Sequence, residues 1–280
     1  MSIELPEAWI LADQMNKEIR GKRIKSCLLQ EHERLQRLGF LNKDISDFNK
    51  LINGKIEAVS SRGLVIRVKL DNGMNLLLAP EYGGRVVYHA DESTVQEKAH
   101  LKVDFTDNTA LTVRLTGMGL IYAAKDDKLE GIYVYRRDFS EVPSPIDEKE
   151  FTFERFSELL NKKTMMLKPL LVGKDAVVVG LGNSAYQDIM YWAKIHPKRK
   201  AFELSEEERH RLFDAIKQVL QQRIRLGGKN QFLDLYGKQG SYTPAMGPNL
   251  AQKPCSICGT SIEKLGLGGG YVYFCPKCQK

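Results

Sequence analysis

"CSICGTSIEKLGLGGGYVYFCPKC" (255–278) sets two Cys-x-x-Cys pairs sixteen residues apart near the end of a 280-residue chain. Each pair can bring two thiolates to one ion while the backbone between them turns its amides toward the sulfurs, and four thiolates close a tetrahedral shell around zinc. A closed shell has no position for substrate. The spacing therefore predicts one structural zinc ion held by Cys255, Cys258, Cys275 and Cys278. Between the pairs, "GLGGGYVYF" (266–274) reads as a hairpin with a glycine-rich tip. So small a ribbon has no core of its own, so the metal holds the hairpin and the tip is what it presents to a partner. The remaining cysteine, Cys27, stands in an apolar context and reads as an inert core thiol.

Moving upstream, "SEEERHRLFDAIKQVLQQRI" (205–224) is an amphipathic helix, with Ser205 and Glu208 forming a capping box ahead of a stripe at Leu212, Ile216, Val219 and Leu220. "VVGLGNSAYQDIMYWAKIHP" (178–197) places Gly180, Gly182 and Asn183 before another helical run. Glycines let backbone approach a ligand, and unpaired N–H groups at a helix start favour phosphate. A tight interhelical turn capped by Asn183 reads equally well from spacing. The segment lacks the GxGxxG pattern after a strand that marks dinucleotide binding. "SPIDEKEF" (144–151) reads as a linker, and before it the period changes to two. From Gly54 to Tyr135, short β-rich runs that include "KIEAVSSRGLVIRVKL" (55–70), "ALTVRL" (110–115) and "GIYVY" (131–135) predict an all-β sandwich or barrel. Ahead of that, Pro6 to Arg20 carries Ala8, Leu11, Ala12, Met15 and Ile19 at helical spacing, with Gly21 as a stop.

The composition narrows the class. With 42% hydrophobic residues the chain can build two cores. No run approaches the ~18 apolar residues of a membrane span, and the first twenty residues carry acids that a signal peptide would not. These features predict a soluble cytoplasmic protein. A formal charge of +7 suits a polyanionic partner, and basic residues dominate from Lys162 to Lys229, with Lys198, Arg199 and Lys200 consecutive.

In this order the pieces resemble the formamidopyrimidine-DNA glycosylase and endonuclease VIII family over nearly the whole chain. The likeness rests on "ELPEA" (4–8), "SRGLVIRV" (61–68), "GLGN" (180–183) through "IHP" (195–197), "DLYGKQG" (234–240) and "CGTSIEKLGLGGGYVYFCPKCQ" (258–279). The resemblance implies an α+β multidomain fold: an amino-terminal helix plus β-sandwich (1–143), a helix, two-turn, helix α domain that binds DNA (144–240), and a carboxy-terminal zinc ribbon (241–280). It implies base excision repair of lesion-bearing double-stranded DNA by a monomer, nucleoid-associated in a bacterium. The damaged base is flipped out, an amino-terminal nitrogen attacks the sugar carbon to form a Schiff base, and the following glutamate serves in acid/base steps.

Position by position, Glu4 matches the family's acid and Glu7 its second glutamate, but Ile3 stands where the family has proline and one extra residue precedes it. Ser2 is small enough for Met1 removal, which would leave a primary amine two residues before Glu4. Ser2 and Glu4 are thus the expected catalytic pair. Leu64 stands in place of the family's lysine, and Gly270 in place of its hairpin arginine. Asn183 matches a phosphate-contacting asparagine and Lys168 a basic position before the two-turn motif. With Lys198, Arg199, Lys200 and Gly270 they form the expected DNA-binding set. "APEYGGR" (79–85) and "RLTGMG" (114–119) replace the loops that fill the vacated stack. Two other readings stand beside a glycosylase: a catalytically degenerate protein of this fold that grips damaged or bent DNA without excision, and an RNA or ribosome binder.

Overall fold

The computed structural model describes residues 3–81, 83–95, 98–161, 163–173 and 176–280. By its contacts the chain forms two compact units: 1–140 with 226–241, and 141–225 with 242–280.

The first unit opens with α1 (Leu5–Ile19), which carries Pro6 in its first turn and is buried along Ala8, Leu11, Ala12, Met15 and Ile19. The strands β1 (Ile24–Leu29), β2 (Ile56–Arg62), β3 (Val65–Leu70), β4 (Met74–Ala79), β5 (Arg85–His89), β6 (Leu101–Phe105), β7 (Ala110–Arg114) and β8 (Leu120–Lys125) form two antiparallel four-stranded sheets. One runs β1-β6-β7-β5 and the other β2-β3-β4-β8. A short helix, α2 (His32–Arg37), follows β1. One core joins Ile24, Val103, Phe105 and Leu111 of the first sheet to Ile66, Val68, Leu76 and Ile121 of the second, with Ala8, Leu11 and Met15 of α1 packed into it. The expected sandwich is therefore the observed one. Cys27 packs partly buried against this core, and burial pushes its thiol up to about 12.

The second sheet is covered on both faces, which explains why β4, "MNLLLA", is buried at every position rather than at every other one. Its outer face holds Val65, Leu77, Ala79 and Leu120 against Leu129 and Tyr135. Here one expectation fails. "GIYVY" is not a strand but leads into a one-turn helix, α3 (Tyr133–Arg136). Five apolar residues carry no period that separates strand from buried helix, and the open surface of the sheet decides.

Residues 226–241 follow the long helix in the chain but belong to the first unit. Phe232 and Leu235 enter its core, and Gln14 of α1 fixes them by donating to Asp234 and accepting from the Leu235 amide.

The second unit contains α4 (Phe153–Asn161), α5 (Leu167–Leu171), α6 (Asn183–Trp192), α7 (Glu206–Arg225) and the hairpin β9 (Glu263–Leu267) with β10 (Gly270–Phe274). The Ser205–Glu208 capping box forms reciprocally, at 2.9 and 3.2 Å. In its interior Arg223 and Asp188 are both fully buried and 2.9 Å apart. The Tyr242 hydroxyl and the Met246 amide also donate to Asp188, each at 2.9 Å. Asp188→Ala removes the buried carboxylate that balances the Arg223 charge, and the expected cost is about 3–5 kcal/mol in denaturant unfolding.

Candidate active site and metal centre

Glu4 and Glu7 are both fully buried at the start of α1. They form a reciprocal capping box, in which the Glu4 amide donates to Glu7 Oε2 at 3.0 Å and the Glu4 side chain accepts from the Glu7 amide. Glu4 therefore has a structural task as helix cap, which its place in the sequence alone does not reveal. Facing the pair is Lys229, 2% exposed, with its Nζ 3.9 Å from Glu4 Oε1 and 3.7 Å from Glu7 Oε2. Backbone geometry aims this lysine. Gly228 adopts a positive φ of 88°, the Lys229 amide donates to Glu7 Oε1 at 3.2 Å, and the Phe232 amide closes a turn on the Lys229 carbonyl at 2.8 Å. A Cβ on Gly240 would collide with the Gly228 and Lys229 carbonyl oxygens, so glycine there lets the two segments close.

Beside this triad a cavity of about 260 Å³ is lined by Ile3, Gly83, Gly84, Arg85, Gln231, Phe232 and Leu233. Ile3 precedes Glu4, and Gln231 lies two residues past Lys229, so two of the lining residues are chain neighbours of the triad. Ser2, the other half of the expected catalytic pair, lies outside the described residues.

Leu64 sits in the two-residue turn between β2 and β3, and its amide donates to Asp138 Oδ2 at 2.9 Å. Arg137 binds the other oxygen of that buried carboxylate at 2.6 Å. Burial pushes the Asp138 carboxyl above its ordinary range against the pull of Arg137, and burial likewise raises Glu81 in the replaced loop. Met118 stands exposed in the other replaced loop.

The remaining expected site residues lie in the second unit. Lys168 is buried, and its Nζ donates to the Leu267 carbonyl of β9 at 2.7 Å; desolvation holds its ammonium below the usual lysine range. Asn183 is not the cap expected from spacing: Gly182 occupies that position, and the Asn183 side chain donates to the Tyr271 carbonyl of β10 at 3.0 Å. Its Oδ1 is buried without a hydrogen-bond partner among the described residues. Both residues grip the hairpin, a contact hidden from the sequence because the segments are far apart along the chain. Gly268 and Gly269 take positive φ at the two-residue hairpin turn, and Gly270 pairs with Leu267 with open space where a Cβ would stand. Lys198 and Lys200 are exposed. Arg199 makes two bonds to Glu208, at 3.0 and 2.9 Å, so its charge is neutralised within the fold.

The four cysteine sulfurs lie within 4.8 Å of one another. Cys255 and Cys278 are 3.9 Å apart and Cys258 and Cys275 3.4 Å, close to the ~3.8 Å edge of a tetrahedron with Zn–S bonds of about 2.3 Å. The donor set fits a structural zinc. Gln279 ties the module down, accepting from the Cys275 amide at 2.9 Å and donating to the Ile195 carbonyl at 3.0 Å.

Three family models match the chain in order: the formamidopyrimidine-DNA glycosylase N-terminal domain over residues 3–117, the formamidopyrimidine-DNA glycosylase H2TH domain over 142–233, and the zinc finger found in FPG and IleRS over 252–280. Together with the cysteine geometry, the last match assigns a structural zinc. Among curated proteins, the chain is 29% identical over 282 residues to a formamidopyrimidine-DNA glycosylase from Pelotomaculum thermopropionicum, covering 99% of each. It is 26% identical over 292 residues to that of Lactococcus lactis subsp. cremoris, again covering 99% of each. Among solved structures it superposes on the Lactococcus lactis Fpg complex with abasic-site DNA with a TM-score of 0.83 at 26% identity, and on MutM with carbocyclic 8-oxo-G DNA with 0.80 at 25%, each covering 99% of both chains. Helix, sandwich, helical unit and cysteine hairpin thus recur end to end in the same order, and the chain belongs to the formamidopyrimidine-DNA glycosylase family.

Proposed function

We propose that this protein is a DNA N-glycosylase with abasic-site lyase activity that acts on lesion-bearing double-stranded DNA in base excision repair. The observation that carries the proposal is the end-to-end likeness, at a TM-score of 0.83, to a Lactococcus lactis protein solved with abasic-site DNA. Extrusion of the damaged nucleotide gives access to its C1′ carbon, where excision proceeds. Glu4 is the acid/base group, placed one residue from the cavity wall at Ile3. The lyase step needs an amine, and the family frame offers the amino terminus of Ser2 after loss of Met1 as one candidate for it. The binding-only alternative is not favoured, since the relatives are named as glycosylases.

The functional division we propose keeps the segments 1–143, joined in the fold by 226–241, for catalysis, the rest of 144–240 for gripping DNA and 241–280 for the zinc ribbon. Lys198 and Lys200 meet phosphates directly, whereas Lys168, Asn183 and Arg199 act through the segments that they hold. Gly270 lets the hairpin backbone come close to the duplex. Among the described residues no helix is long and apolar enough to cross a membrane, and a cytoplasmic, nucleoid-associated place belongs to this proposal.

The test is incubation with duplexes that each carry one oxidised purine, oxidised pyrimidine or abasic site, scoring base release and strand cleavage. Product on at least one duplex is expected; salt-sensitive binding with no product on any would overturn the enzymatic reading. In the same binding assay, Lys198→Ala and Lys200→Ala should each weaken binding regardless of sequence and reduce the slope of log K against log salt by about 1.

A further inference from the structure

The triad of Glu4, Glu7 and Lys229 contains a nucleophile that the family chemistry leaves unused. We propose that Lys229 supplies the amine that forms the Schiff base with the abasic sugar. This inference rests on the lyase reading above and names the attacking atom.

Three observations support it. The first is chemical: in this chain Ile3, with an apolar side chain and an ordinary peptide nitrogen, occupies the position directly before the acid, while a primary amine stands opposite that acid, 3.9 Å away. The second is the environment. Lys229 Nζ lies 3.7–3.9 Å from two fully buried carboxylates. A lysine made reactive in a buried setting needs a neighbour to accept its proton, and Glu4 is such a neighbour. The third is placement. The cavity is lined by the chain neighbours of the triad, Ile3 next to Glu4 and Gln231 two residues beyond Lys229. Lys229 is only 2% exposed in the free protein, so its side chain must turn toward the cavity for the amine to meet the sugar. The glycine contacts described above fix the backbone of residue 229, so the approach of the amine to the sugar falls to its four-carbon side chain.

The chemistry balances without an external co-reactant. Lys229 gives a proton to the Glu4 carboxylate, and the neutral amine adds to C1′ of the open-chain abasic aldehyde. Glu4 returns the proton to the carbinolamine hydroxyl, which leaves as water, and the C–N double bond forms. Loss of the C2′ proton to the carboxylate then drives cleavage of the C3′–O bond, with the phosphate as leaving group. Water hydrolyses the imine and restores the lysine.

The decisive experiment traps the full-length, zinc-loaded protein with borohydride on a duplex bearing one abasic site and maps the adduct by peptide mass spectrometry. Most of the adduct is expected on the peptide containing Lys229, with a yield insensitive to retention of Met1. Lys229→Arg keeps the positive charge facing Glu4 and Glu7, so the fold and duplex binding persist, yet adduct yield and strand cleavage are expected to fall at least tenfold. An adduct on the amino-terminal peptide, or base release with no adduct anywhere, overturns this inference and leaves the glycosylase reading intact. Absence of both adduct and product on every duplex overturns the glycosylase reading, and this inference with it.

Discussion

Glu4→Gln is expected to lower base release and strand cleavage by about 10²–10⁴-fold, the usual contribution of a positioned general acid or base. Glutamine keeps the shape and one carbonyl acceptor for the Glu7 amide, so α1 retains its cap. Glu7 remains 3.7 Å from Lys229, so the buried ammonium keeps a carboxylate partner and the fold survives. Duplex binding should therefore be nearly unchanged while product formation collapses. Single-turnover rates beside a binding isotherm on the same duplex check this, and an unaltered rate would show that Glu4 serves the fold alone.

Removal of the metal is the second large effect. One zinc per chain is expected by elemental analysis, and its loss, by chelation or by Cys258→Ser, should weaken duplex binding on the order of 100-fold. Binding of structural zinc contributes about 10–16 kcal/mol in isolated zinc-finger peptides, where folding and metal binding are one event. Here the hairpin is also fastened by packing. Val272 enters the core of the helical unit, and Tyr273 joins Tyr191, Met246 and Ile262 around Cys255 and Cys275. The metal-free protein should therefore keep most of its helix and sheet by far-ultraviolet circular dichroism while losing the hairpin geometry that Lys168 and Asn183 hold at Leu267 and Tyr271. Full duplex affinity in a zinc-free sample would contradict a role for the ribbon in gripping DNA.

Local features were the most readable from the chain. The helix from Pro6, the Ser205 capping box, the glycine-tipped hairpin and the four cysteine ligands each depend on residues a few positions apart, or on one motif whose chemistry requires a common ion. The sandwich was legible because alternation survives wherever one face of a sheet meets the core. It failed at "GIYVY", where the outer face of a sheet needed cover and a short helix supplied it. Asn183 was readable as a polar group at a helix start, but its partner lies 88 residues away and only folding selects it.

From the chain alone one reads most of the helices and strands, the zinc that closes the last module, and the acid that begins the first helix. What surrounds that acid depends on long-range folding. Lys229 is separated from Glu4 by 225 positions, and no periodicity or spacing relates them. They meet because Phe232 and Leu235 are drawn into the sandwich core, which carries the segment after α7 back to α1. Once there, two buried carboxylates require a cation, because unpaired charge in a protein interior costs far more than the order needed to bring a lysine to it.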